Sequence, residues 1–397
     1  MAPSHQQTAH SIVERLQNAG YTALFAGGWV RDFVLGHPSQ DIDIATNAHP
    51  EEVMHLFPRS IAVGAQFGVV RVLVNDQEVE VATFRSDDQY VDGRHPTNVN
   101  LSASPQEDAQ RRDFTINGMF YDPTSSTLYD YVKGQEDVSK KLIRTIGDPY
   151  QRFTEDRLRI IRAIRFKNSL GFSIDPTTWK AICQESPHVI EAVSGERVWQ
   201  ELYKMLAKEI LAPCLRDLKE CSLLFSLFPS LKNMSGKALE ARFQSIEKYK
   251  GSSLIAALCL LISQQREELV ERFHLSNKEK DLITTFSLLE SLPEDELSLV
   301  SFYARPGSEN CLHAYSCSKE DPERFLNSHE EKKQNLFFWI EQLRTNSFFI
   351  GGSDLIALGI QPGKKMGEYI QKAFHLSLKT RITDKEALLN ELKEELL

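Results

Sequence analysis

At 397 residues, with 41% apolar and 25% charged residues, the chain is long enough for two or more packed units of ordinary soluble composition. A net charge of −9 argues against indiscriminate nucleic-acid binding but leaves room for a local basic groove. The longest apolar run, around 254–262, suits a buried helix and falls short of the ~18–20 residues of a membrane span.

In chain order, the periodicity predicts an amphipathic helix at 10–19, strands at about 22–26, 41–46, 67–75 and 78–85, and helices at 29–35 and 50–57. The two later strands, joined by the polar turn Asn75-Asp76-Gln77, read as a hairpin. Residues 86–110 read as a long polar loop with Gly93, Pro96 and Pro105. From about Asp148 strand signals vanish and helical periodicity runs on, at 150–170, 176–184, 194–211, 235–248, 253–265, 278–291, 331–345 and 383–396. The fold class expected is α+β: a small mixed-sheet domain at 1–145, a helical segment adjoining it at 146–210, and a helical remainder at 211–397.

The most informative motif is Gly27-Gly28-Trp29-Val30-Arg31-Asp32, followed by Asp41-Ile42-Asp43. The glycines break a strand into a tight turn and let backbone N–H groups approach phosphate oxygens. Alternation along a strand puts Asp41 and Asp43 on one face, about 6–7 Å apart, where two carboxylates can share hard cations such as Mg²⁺. A lone Asp-x-Asp is most often a solvated strand edge. Its combination with the glycine turn within 17 residues points to phosphoryl or nucleotidyl transfer.

Arg111-Arg112-Asp113-Phe114-Thr115-Ile116-Asn117 closes the loop and is expected to open a helix; its arginines offer forks for phosphate, its Asp and Asn acceptors for ribose hydroxyls. Farther on, Asp156, Arg159, Arg162 and Arg165 recur every third residue within one predicted helix and form a slanted polar stripe between apolar positions. Between 140 and 170 there are nine Lys/Arg against three Asp/Glu, which suits an anionic substrate. Three arginines to one acid on the stripe exceed internal pairing, leaving positive charge for phosphate. Asp156 beside Arg159 offers an acceptor next to a donor. That pair matches the amino and ring-nitrogen edge of cytosine or adenine and repels uracil and guanine, a discrimination of roughly 1–3 kcal/mol.

Together these motifs resemble the bacterial class II tRNA nucleotidyltransferase / poly(A) polymerase family, the CCA-adding enzymes and their relatives. The resemblance covers roughly 20–210 and includes Glu80-Val-Ala-Thr-Phe-Arg85, Gly147-Asp-Pro with Arg152-Phe-x-Glu-Asp-x-x-Arg, and Ser194-Gly-Glu-Arg-Val-x-x-Glu201, similar to a helix that steadies the neck. Ile350-Gly-Gly-Ser-Asp-Leu with Gly359-Ile-Gln-Pro-Gly363 resembles the family's tail element. The resemblance implies a polymerase β-like nucleotidyltransferase head, then an all-helical neck, body and tail in a seahorse-like arrangement. It implies Asp41 and Asp43 as Mg²⁺ ligands, Gly28, Arg31 and Arg112 on the triphosphate and ribose, Asp156 and Arg159 as a protein template for the base, and Arg162 and Arg165 completing the nucleotide pocket. Glu80 is a candidate third carboxylate, with a structural role equally open. The implied reaction is attack of the tRNA 3′-hydroxyl on the α-phosphate of CTP or ATP, with the helical tail gripping tRNA.

Gln89-Tyr-Val-Asp92-Gly-Arg94-His95-Pro96 resembles the family's flexible loop, with His95 where an arginine is frequent, and favours full CCA or terminal A addition over CC-only activity. A-only addition, poly(A) polymerase activity and a catalytically silent RNA-binding protein are the alternatives. Gly359-x-x-x-Gly363-Lys364-Lys365 lacks the Ser/Thr and spacing of a phosphate loop and is taken as a turn into a helix. Residues 1–10 lack a basic segment followed by an apolar core, so no signal peptide is expected. Six cysteines without a Cys-x-x-Cys pair read as reduced thiols of a cytoplasmic protein.

Overall fold

The computed structural model describes residues 4–37, 39–64, 68–87, 99–101, 104–262, 265–363 and 365–396. The proposed flexible loop at 89–96, with His95, and Lys364 of the tail turn lie outside these residues. The chain forms two units, Met1–Pro229 and Ser230–Leu397.

The first unit holds a seven-stranded sheet of order β3-β4-β5-β2-β1-β8-β9. Its strands are β1 (Ala23–Ala26), β2 (Asp43–Thr46), β3 (Ser60–Gly64), β4 (Val69–Val74), β5 (Gln77–Thr83), β8 (Met119–Asp122) and β9 (Thr127–Asp130); β6 (Arg85–Asp87) and β7 (Val99–Leu101) form a separate ladder. Neighbours are antiparallel except β2 with β5, where Asp43 stands opposite Glu80. The predicted hairpin is β4–β5, and left-handed Asn75 (φ 52°) and Asp76 (φ 58°) form its turn. β1 is buried at all four positions, as its apolar Ala-Leu-Phe-Ala requires of a central strand.

Helices α1 (His5–Asn18), α2 (Gly28–Val34), α3 (Pro50–Leu56), α4 (Pro105–Arg111) and α5 (Gly134–Ser139) accompany the sheet. Trp29 of α2 stacks on Phe33 (ring centroids 5.1 Å apart) and meets Phe25 of β1 edge-on (4.9 Å), pinning the start of α2 to the sheet. After the sheet come α6 (Pro149–Glu155), α7 (Leu158–Leu170), α8 (Pro176–Glu185), α9 (Val189–Ala192), α10 (Gly195–Ala207), α11 (Leu211–Glu220) and α12 (Leu223–Leu227). Strand signal does not vanish entirely: β10 (Leu142–Ile143) pairs with β11 (Ser173–Ile174).

Three readings of the sequence need correction. The Arg-Arg-Asp motif closes a helix instead of opening one: Ser104 and Glu107 form a capping box, Pro105 starts α4, and Arg112 is its C-cap. The predicted loop 86–110 therefore contains α4. The stripe helix is also not continuous, since Asp156 is extended (φ −151°, ψ 101°) and separates α6 from α7. Its carboxylate accepts from the Leu158 N–H at 3.1 Å, a local bond that competes with helix.

Within the described residues the second unit is helical, from α13 (Gly236–Lys248) to α23 (Lys385–Leu396). Its central helix α14 (Leu254–Leu261) is buried at every position. The tail element packs Ile350 and Leu355 with Ala373, Leu376, Leu388 and Leu392, and Gly359 (φ 88°) lies in the segment that leads towards α22 (Lys365–Thr380). No helix among the described residues is long and apolar enough to cross a membrane. All six cysteines are free thiols, five buried and Cys183 exposed.

Candidate active site

The chain leaves β1 through Gly27, whose φ of 69° and ψ of −132° would strain any side chain, and α2 begins at Gly28. Arg31, one turn into α2, is 7% exposed. Its Nε and Nη2 donate to Asp32 at 2.8 and 2.7 Å, and its Nη1 donates to Asn117 Oδ1 at 2.7 Å. A Cβ at Gly28 would stand 3.5 Å from Arg31 Nη2 and 3.9 Å from Nη1; one at Gly27 would stand 3.3 Å from Arg112 Nη1 and 3.9 Å from Asp43 Oδ2. A methyl group at Gly27 would crowd the Arg112 fork, and one at Gly28, in ordinary contact, would take up the room beside the Arg31 fork. Gly28→Ala should therefore fold normally yet raise KM for both nucleotides about 10–10²-fold. Thermal melts and steady-state kinetics check this, and an unchanged KM removes the glycine from the site.

Asp41 precedes β2 and Asp43 opens it, with Ile42 (2% exposed) turned inward between them. The two acids share a face as alternation requires, although the strand itself starts two residues later than expected. Asp43 stays open to solvent on the cavity side but is walled by protein behind. That desolvation comes first, and the negative charges of Asp41 and Glu80 add to it; together they push its carboxyl up to about 6 against the opposing charge of Arg112. Arg112 is itself engaged by Asp108, with Nε at 3.0 Å and Nη2 at 2.9 Å from Oδ2. The pair is thus a carboxylate site with uncompensated negative charge, the donor set a hard divalent cation fits. Among the described residues no group of three or more His, Cys, Asp or Glu is gathered to hold a metal alone. Glu80 is exposed on β5 and pairs with Arg71 at 3.3 Å.

Each stripe arginine finds an acid, Glu155 four residues before Arg159 and, from other segments, Asp113 and Glu201, so the surplus of positive charge read from the helix alone does not exist. Arg159 donates to Glu155 (2.9 Å) and to the carbonyls of Arg152 (2.8 Å) and Arg111 (3.2 Å). Arg162 donates to Asp113 through Nε (2.9 Å) and Nη2 (2.7 Å). Arg165 donates to Glu201 of α10 at 2.6 Å, and Glu201 is 2% exposed. Burial alone would raise the Asp113 carboxyl, but Arg162, Asn117 and the Phe114 N–H outweigh it and hold it down at about 2. Asp156 is gripped by both terminal nitrogens of Arg197, at 3.1 and 2.8 Å. Arg197 and Glu201 thus tie α10 to Asp156 and to α7.

A cavity of about 580 Å³ gathers these groups. Gly28, Arg31, Asp41, Asp43, Arg112, Asp156, Arg159 and Arg162 all line it. Arg165 does not; it turns to Glu201 behind the wall. Phe166 and Lys204 also line the cavity and had not been singled out. Phe166 stood among the apolar positions of the stripe helix, four residues after Arg162; Lys204 carries no signal beyond its place on a predicted helix.

Comparison with known proteins shows the family. Residues 23–144 match the family model described as the poly A polymerase head domain, and 171–235 match the probable RNA and SrmB- binding site of polymerase A. CCA-adding enzymes of Bacillus cereus and Bacillus anthracis are each 32% identical over 395 residues, covering 98% of this chain and 98% of theirs. The crystal structure of the Bacillus stearothermophilus CCA-adding enzyme in complex with CTP aligns with a TM-score of 0.80 at 29% identity, covering 100% of this chain and 98% of that one. The Thermotoga maritima CCA-adding enzyme complexed with tRNA shares the fold at 21% identity and a TM-score of 0.62, over 98% of this chain and 95% of that one. By identity along nearly its whole length, the chain belongs to the class II tRNA nucleotidyltransferase / poly(A) polymerase family, among its CCA-adding enzymes.

Proposed function

We infer that the protein adds CMP and AMP from CTP and ATP to the 3′ end of tRNA without a nucleic-acid template. The observation that carries this reading is one cavity joining a carboxylate pair, two arginine forks and an Asp–Arg pair suited to a C or A edge. Asp41 and Asp43 are the groups we assign to a divalent cation, Mg²⁺ by preference. When bound there, it supplies charge neutralisation at the triphosphate and activation of the attacking 3′-hydroxyl. Arg31 keeps one N–H on each terminal nitrogen after its bonds to Asp32 and Asn117, and this outer edge is our candidate for the triphosphate. Arg112, held on Asp108, faces the space above Gly27 and shares that task.

Asp156 and Arg159 read the base. Asp156 Oδ1 accepts from both Arg197 and the Leu158 N–H, but Oδ2 accepts from Arg197 alone and retains a lone pair, so the grip orients the carboxylate without exhausting it. Arg162, held by Asp113, shapes the pocket between base and triphosphate. Arg165 acts from behind the wall by fixing Glu201, a change from the nucleotide contact first expected. We propose the division into head 1–145, neck 146–210 and body with tail 211–397; the sheet's end at Asp130 and the start of α6 at Pro149 support it. The tail's partner is the tRNA backbone, and the compartment proposed is the cytoplasm.

Extension of three tRNA transcripts, ending at the discriminator base, at C and at CC, tests the reading. Supplied with CTP and ATP, the first should grow stepwise to CCA. Growth of the CC-ending substrate alone would make the protein an A-adding enzyme, and long A tails on unrelated RNA a poly(A) polymerase.

A further inference from the structure

Phe166 lines the cavity at 7% exposure, yet it offers no group for phosphate, metal or base edge. Its ring centroid lies 5.4 Å from the Arg31 guanidinium carbon, 5.3 Å from that of Arg162 and 4.2 Å from that of Arg165. Two of these arginines belong to its own helix, α7; Arg31 arrives from α2, just after the glycine turn. Phe114 meets the ring edge-to-face, with centroids 5.8 Å apart and planes at 80°, and so fixes the ring's rotation.

Each arginine already has its own acid: Asp32 for Arg31, Asp113 for Arg162 and Glu201 for Arg165. The ring is therefore not a missing counter-charge. What it adds is position. A carboxylate at this point would accept the remaining N–H groups of Arg31, whereas a π face attracts the cation while leaving its in-plane donors free.

Resting on the nucleotidyltransferase reading above, we propose that Phe166 is a positioning residue that holds the free edge of Arg31 towards the triphosphate of the incoming nucleotide and sets its spacing from Arg162. The ring is the shared surface on which an arginine of the sheet domain and an arginine of the neck helix are registered.

The test uses the full-length enzyme with three readouts: KM and kcat for CTP and ATP, inhibition by inorganic tripolyphosphate, and thermal melting. Tripolyphosphate carries the charge of the nucleotide tail without a base. Phe166→Leu keeps an apolar side chain but removes the ring; Phe166→Tyr keeps the π face. With the ring lost, KM for both nucleotides and the tripolyphosphate inhibition constant should rise together by about five- to thirtyfold, with kcat nearly unchanged. Phe166→Tyr should recover most of the loss, and Phe166→Leu should add little in an Arg31→Lys background. Unchanged tripolyphosphate inhibition in Phe166→Leu, or full additivity with Arg31→Lys, overturns the proposal. If Phe166→Leu fails to fold, Phe166→Tyr decides: inhibition weakened as much as in Arg31→Lys also overturns it. Failure of the wild type to add C or A would instead defeat the functional reading itself.

Discussion

Alanine at Asp41 should cut addition of either nucleotide by at least about 10²–10³-fold, the scale on which reacting centres lose a single electrostatic stabiliser. Binding of tRNA should persist, because phosphate contacts elsewhere need no carboxylate pair. Loss of tRNA affinity in step with activity would make Asp41 structural; wild-type activity in the mutant would end the site assignment. Asp43 carries a companion prediction of opposite sign for stability. Its carboxyl at about 6, against an ordinary 3.8, binds the proton more tightly in the folded state. Below roughly pH 4 both states are protonated and nothing is lost; between about pH 4 and 6 the unfolded chain releases its proton while the folded site holds its own, so stability falls, and above 6, with both ionised, the cost is complete. Asp43→Asn should therefore raise the melting temperature of metal-free protein at neutral pH, less so near pH 5, while abolishing activity. A melting temperature lowered at neutral pH would show that the acid pair is not strained.

The second large effect concerns the choice of base. Substituting Asp156 or Arg159 should relax selection of C and A over U and G by about 5–150-fold, the worth of one lost bidentate readout. Because Arg197 holds Asp156 at 2.8 and 3.1 Å, Arg197→Ala should reproduce part of this loss without touching a base. Misincorporation of UMP and GMP on CC-ending tRNA measures both. Unaltered selection in the Asp156 and Arg159 variants removes the template role, while loss of all addition would assign those residues to binding in general.

Much of the sheet domain could be read in advance. The hairpin and the face shared by Asp41 and Asp43 followed from alternation, and β1 from its unbroken apolar run, which a central strand buries on both faces. The four-residue strands β8 and β9 were missed because they are too short to show a period and, unlike β1 with its apolar run or β2 with its Asp-x-Asp, carry no other mark. In β3 the apolar Ile61 and Val63 point to solvent, at 67% and 52% exposure, so its pattern carries no burial signal. α4 was legible through Ser104, Pro105 and Glu107 and was overlooked inside a polar stretch. At the site, the arginines and carboxylates announced themselves by spacing. Two of their partners did not: Asp113 lies 49 residues from Arg162 and Glu201 lies 36 from Arg165, separations no local pattern encodes.

The order of the sheet also bears on how the protein emerges from the ribosome. β1 is flanked by β2, which follows about twenty residues later, and by β8, which arrives only with residue 119. Until then one whole edge of the most apolar strand has no partner, and long-range pairing of this kind is slow. The nascent chain must shelter that edge while some ninety further residues are translated, so the stretch between β1 and β8 is where synthesis is most exposed to misassembly.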